Sequence, residues 1–320
     1  MNVLVTGGAG FIGSHLIERL LARDAAARVV CLDDFNDAYE PAFKRANVAA
    51  FADHPRATVI AGSLCNGAAV RQLLAEHQIS HLLHLGAYAG VRASVEHPEP
   101  FVTTNVGGTL ALLEAARAHR LARFVFVSSS TVYGDGAAVP FVEDAPLGIP
   151  LSPYGVSKRA AELMCLSYWR MHGVPAVCLR PFSVYGPRIR PDLAMWIFAQ
   201  AILEGRPIPL LGDGSFRRDF THVSDVCDGL LAALTVDNVV GQAINLGHDQ
   251  PVAIGALIAL LEQSLGRSAV VERRAASPAD LPLTHADLSK ARRLLRYQPQ
   301  VALADGVREF AEWFRSRRSG

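Results

Sequence analysis

Tyr154 and Lys158 stand four residues apart and share a face if their segment is helical. A phenol ordinarily has a pKa of about 10. A neighbouring ammonium favours the phenolate and brings such a group toward use as a general base near neutral pH. A cluster of hydroxyls, Ser128-Ser129-Ser130-Thr131, follows an apolar run at 124–127. Hydroxyls leaving the carboxyl end of a parallel strand face a ligand crevice, where one of them can relay a proton or hold the reacting oxygen. A third group is Thr6-Gly7-Gly8-Ala9-Gly10-Phe11-Ile12-Gly13. Its GxxGxxG spacing at Gly7, Gly10 and Gly13 permits a tight turn, close approach of a pyrophosphate and close helix–strand packing. The N–H groups of the following helix would face the phosphates. Asp33 lies 20 residues beyond Gly13. A carboxylate there accepts hydrogen bonds from ribose hydroxyls and repels a 2′-phosphate, which favours NAD over NADP. Asp34 is the neighbouring candidate for the same role.

These groups need a scaffold. Apolar runs at 3–5, 28–32, 58–60, 81–85, 124–127 and 174–179 alternate with helical patterns at 11–22, 68–77, 101–119 and from about 153 onward. Such alternation predicts βαβ units and a parallel sheet covered on both faces. The expected fold is α/β, a Rossmann-type doubly wound parallel sheet with a smaller C-terminal substrate-binding lobe. Residues 1–180 would form the dinucleotide-binding domain, also receiving 219–247. Residues 181–320 would mainly form the lobe, with a helix at 193–203 and a strand at 208–211.

Half of the 320 residues are hydrophobic and 19% are charged, enough for a sizeable core, and the net charge is +1. That balance argues against nucleic-acid or membrane-surface binding. No apolar stretch reaches the about 20 residues needed to span a bilayer. The five widely spaced cysteines lack metal-ligand spacing and predict buried, reduced thiols in a cytoplasmic protein. The expected role of His81, His84 and His222 is packing or capping, and Trp169, Trp196 and Trp313 belong to core or interface. The helices at 101–119 and 153–172 are candidates for a homodimer face.

The fingerprint, Ser-Ser-Ser-Thr-Val-Tyr-Gly at 128–134, the Tyr154/Lys158 pair and Arg217-Arg218-Asp219-Phe220, in that order, resemble the extended short-chain dehydrogenase/reductase family over nearly the whole chain. The resemblance implies a catalytic set of Ser129, Tyr154 and Lys158. It also implies NAD held by Gly7, Gly10, Phe11, Ile12, Gly13, Asp33, Ser63, Leu64, Leu85, Ala87 and Pro181 together with Tyr154 and Lys158. Nucleotide-sugar dehydratases of that family carry an Asp-Glu pair, and glucuronate decarboxylases a Glu, where this chain has Ser130 and Thr131. Ala89-Gly90-Val91-Arg92 with Ser94 and Pro98, and the run 185–192, resemble the family's UDP-glucuronate 4-epimerases. That implies inversion at C4 through a 4-keto intermediate. Arg190, helped by Ser183, would grip the sugar carboxylate; a neutral hexose would leave the guanidinium without a partner. Ser129, Ser130, Pro209, Leu211, Arg218 and Asp280 complete the implied UDP-sugar contacts. A UDP-glucose epimerase, a decarboxylase and a non-catalytic NAD-binding protein are the competing readings.

Overall fold

The computed structural model describes residues 1–275 and 281–319. Its centre is a seven-stranded parallel sheet of β1 (Asn2–Thr6), β2 (Arg28–Asp33), β3 (Ala57–Ala61), β4 (His81–His84), β5 (Arg123–Val127), β6 (Ala176–Pro181) and, after four short strands, β11 (Ala243–Leu246). The intervening strands are β7 (Val184–Tyr185), β8 (Pro207–Leu211), β9 (Arg217–Arg218) and β10 (Thr221–His222); β12 (Val252–Ala253) and β13 (Val270–Arg274) follow. The sheet order is β11-β6-β5-β4-β1-β2-β3. Chain direction through the sheet therefore reverses beside β1, where open α/β sheets bind ligands.

The sheet is buried because its strands are apolar on both sides. Val3 and Val5 of β1 enter one core, while Leu4 enters the other. The second core also takes Val70, Leu73 and Leu74 of α3 (Gly67–Glu76), Leu112 and Leu113 of α5 (Thr109–His119), and Ala161 and Cys165 of α6 (Pro153–His172). The first core receives α1 (Phe11–Arg23) and α8 (Val223–Thr235). α2 (Pro41–Val48), α4 (Val91–Glu96), α7 (Ala194–Glu204), α9 (Ile254–Leu265), α10 (Ser289–Leu295) and α11 (Leu303–Ser319) complete the helices used below. Outside the central sheet, β8 pairs with β13 and β9 with β12.

The long helix expected at 101–119 is divided. Residues Phe101–Gly108 wind as a π-helix before α5 begins. The wider turn swings Asn105 inward, and a Cβ at Gly108 would lie 1.9 Å from Leu64 Cδ1, so this segment packs hard on the loop after β3. Four cysteines are buried as expected, but Cys65 is exposed because it sits in that loop.

Candidate functional site

Almost every site residue anticipated in the first half of the chain lies just beyond the carboxyl end of a sheet strand. Gly7 follows β1, Asp33 ends β2, Ser63 and Leu64 follow β3, Leu85 and Ala87 follow β4, Ser129 and Ser130 follow β5, and Pro181 and Ser183 close β6. The carboxyl ends of adjacent parallel strands form one edge, so the topology gathers residues far apart in sequence.

The glycine turn is a cradle that side chains would fill. Gly7 has φ +69°, and a Cβ there would sit 2.7 Å from Gly86. One at Gly13 would lie 2.3 Å from the Gly7 carbonyl oxygen. Gly10 caps α1 with no side-chain bond, which leaves first-turn N–H groups facing outward from the helix end. Asp33 is buried; its Oδ2 accepts from Ala9 N–H and its Oδ1 from Phe35 N–H, each at 3.0 Å. Burial raises its carboxyl above the ordinary value, while those N–H groups and the Lys44 ammonium pull it back. Lys44 was not anticipated. It is buried beside Asp33, bonds the Asn36 carbonyl at 3.0 Å and lies over the Tyr39 ring. Asp34 is exposed and only orders its own turn through Asn36. A carboxylate fixed beside a glycine cradle at a helix N-terminus fits a dinucleotide.

The second group is the phenol of Tyr154, in the first turn of α6. Pro153 opens α6 at a position where its missing N–H costs nothing, and Ser152 caps the helix by accepting from Gly155 N–H. Burial raises the Tyr154 pKa above its ordinary value; a hydrogen bond with Ser129 and the Arg190 guanidinium oppose that rise. Ser129 thus meets the Tyr154 phenol, and the Arg190 charge acts on it. Ser129 Oγ accepts from Thr131 N at 3.2 Å and Thr131 Oγ1 at 2.9 Å, which directs its own proton elsewhere. Thr131 is therefore a further residue that orients this hydroxyl. Lys158 lies one turn further along α6. It is buried, donates to the Val127 carbonyl at 2.8 Å and sits over the Phe126 ring, and burial lowers its pKa to about 8.

A buried polar chain ties the cradle to the tyrosine. His84 is neutral, its pKa lowered by burial to about 3. Thr109 donates to the Asn105 carbonyl at 2.5 Å, so it must accept from His84 Nε2 at 2.9 Å. His84 Nδ1 then accepts from Thr6 Oγ1, which itself accepts from Gly86 N–H. Asn105 holds both backbone groups of Tyr88 and donates to Ser157 Oγ at 2.9 Å; Ser157 donates to the Tyr154 carbonyl at 2.8 Å. Each group has a partner and one consistent donor direction. His84 is thus a packed residue, as expected, and His222 caps α8.

Arg190 corrects one expectation. Its guanidinium already has a carboxylate partner within the chain: Nε bonds Asp192 Oδ1 at 2.9 Å, Nη2 bonds Oδ2, and Nη2 also bonds the Ala89 carbonyl at 3.1 Å. A neutral sugar would therefore not leave the guanidinium unpartnered, contrary to expectation. Pro209 and Leu211 lie on β8 and Arg218 on β9, outside the central sheet. Asp280 lies outside the described residues.

The chain matches the model of the NAD dependent epimerase/dehydratase family over residues 3–247. It is 36% identical to a UDP-glucuronate 4-epimerase of Thermodesulfobacterium geofontis, covering 97% of this chain and 95% of that protein. A crystal structure of UDP-glucuronic acid 4-epimerase from Bacillus cereus, in complex with UDP-glucuronic acid and NAD, superposes with a TM-score of 0.94 at 38% identity, covering 99% of this chain and all of that one. A dTDP-glucose 4,6-dehydratase from Streptomyces venezuelae, with NAD and TYD bound, reaches a TM-score of 0.92 at 32% identity, with 100% and 98% covered. The fold therefore accommodates more than one reaction.

Proposed function

The chain belongs to the NAD-dependent epimerase/dehydratase family, and from that premise we propose that it interconverts UDP-glucuronate and UDP-galacturonate by inverting C4. The observation that carries the reading is the buried Tyr154 phenol, hydrogen-bonded to Ser129 and under the Arg190 charge, on a helix tied through Ser157, Asn105, Thr109, His84 and Thr6 to the glycine cradle. The full-length likeness to UDP-glucuronate epimerases supports the choice of sugar.

NAD, when bound, supplies the acceptor and donor of the C4 hydride. Tyr154 takes the proton of the C4 hydroxyl and later returns it, and Ser129 donates a hydrogen bond to the same oxygen. Lys158 spends one N–H on the Val127 carbonyl, which leaves two for a ribose hydroxyl. The N-terminal N–H groups of α1 hold the pyrophosphate, and Asp33 takes the adenosine ribose. Arg190 and Ser183 hold the sugar carboxylate. That grip opposes loss of carbon dioxide from the 4-keto acid, which a decarboxylase would allow. Ser130 and Thr131, standing where dehydratases carry acids, leave no acid to drive elimination.

Residues 181–320 apart from 219–247 would serve as the nucleotide-sugar lobe, with uracil along Pro209 and Leu211, the diphosphate at Arg218, and Asp280 at the ribose. We place the protein in the cytoplasm, as its free cysteines suggest. No described helix is long and apolar enough to cross a membrane. A homodimer is supported by an apolar stripe of exposed residues, Val156, Leu163 and Met171 on α6, with Leu110 on α5 and Val102 beside it. The test of the reading is proton NMR of UDP-glucuronate with purified enzyme and no added NAD. Appearance of UDP-galacturonate supports it. Exclusive conversion of UDP-glucose, or formation of a UDP-pentose, overturns it.

A further inference from the structure

The Asp192 carboxylate takes the Nε/Nη2 edge of Arg190, the edge best suited to two parallel hydrogen bonds with a carboxylate. Nη1 makes no hydrogen bond to a described residue. The guanidinium is largely enclosed, its side chain 18% exposed, whereas that of Asp192 is 42% exposed. The segment carrying the arginine is fixed from outside: His15 bonds the Pro187 carbonyl at 2.9 Å, and Arg188 pairs with Glu18, both partners on α1. The Ala89 carbonyl holds Arg190 itself.

We propose that Asp192 is an internal carboxylate that occupies Arg190 until a uronate arrives, and that its exchange for the substrate carboxylate sets how strongly the enzyme prefers acidic over neutral sugars. The proposal rests on the reading of Arg190 as the sugar-carboxylate binder. Nη1 is open, but Nη2 is already bonded to Asp192 and to the Ala89 carbonyl, so a paired two-bond grip of the substrate carboxylate needs the edge that Asp192 holds, and there one carboxylate must leave. Asp192 is the partner that can leave: it is nearer to water, whereas Arg190 is held at its other contact. The exchange keeps the enclosed cation paired throughout, which avoids the cost of an uncompensated buried charge. A neutral sugar offers nothing to exchange and meets an arginine already neutralised.

Asp192→Asn tests this. The amide keeps the side-chain volume and one acceptor oxygen for the guanidinium but removes the competing charge. Calorimetric titration should show UDP-glucuronate binding tighter by about fivefold, the scale of one partly exposed ion pair, with UDP-glucose unchanged within about twofold. Asp192→Glu should restore the wild-type ratio of the two affinities. If the wild type epimerises UDP-glucuronate but Asp192→Asn binds it equally or more weakly, the exchange is wrong and the function stands. If the wild type neither binds nor epimerises a uronate, both fall.

Discussion

The phenol of Tyr154 is the group on which the chemistry turns, and its surroundings define what removing it should do. Tyr154→Phe takes away only the oxygen and should lower kcat by about 10²- to 10⁴-fold, the usual worth of a positioned acid–base group, with UDP affinity retained. Steady-state rates with a binding titration check this. Lys158 gives a stability prediction. Burial lowers its pKa from 10.5 to about 8, so between those values the unfolded chain binds the proton and the folded ligand-free protein does not. Stability contributed by this group therefore rises as pH increases from about 8 toward 10.5. Urea denaturation across that window should show the rise in the wild type and lose it in Lys158→Met. Spacing alone revealed the candidate residues Tyr154, Lys158 and Asp33, because helix period and strand–turn–helix geometry are local. It did not reveal Lys44 or Asp192, nor that Thr131 of the hydroxyl cluster orients Ser129, since these meanings come from contacts that only folding creates. Asp192 stands two residues from Arg190 in the sequence, but only the fold shows the two paired.

At the level of elements, the sheet was legible because its strands are apolar runs separated by helical periodicity. Their carboxyl ends then determine which turns meet. The π-helical turn at Phe101–Gly108 was not legible, since an extra residue per turn leaves no mark on a short apolar pattern. Its consequence is the placement of Asn105, which joins the turn after β4 to α6. Asn105→Ala would orphan both Tyr88 backbone groups and free Ser157. Unsatisfied buried groups cost about 1–3 kcal/mol each, so thermal unfolding should occur at lower temperature. Turnover should fall as well, because the Tyr154 carbonyl loses its anchored partner. Ala at Gly13 should act differently: its Cβ would press on the Gly7 carbonyl, so NAD retention on purification should drop sharply while apolar packing elsewhere persists.

Across the whole molecule, the exposed apolar residues of α5 and α6 lie on the same helices that form the back of the active site. Assembly and catalysis would therefore share α6. Leu163→Glu should give a folded monomer by light scattering, with the far-UV circular dichroism of the wild type; a persistent dimer would place the interface elsewhere. The account as a whole depends on oxidation and re-reduction at a single carbon within one closed pocket. It is tested most directly by UDP-glucuronate carrying deuterium at C4, incubated with enzyme as purified and followed by NMR and mass spectrometry. The prediction is UDP-galacturonate that retains its deuterium at C4, with no label in the water. Inversion accompanied by loss of the label to solvent would contradict it.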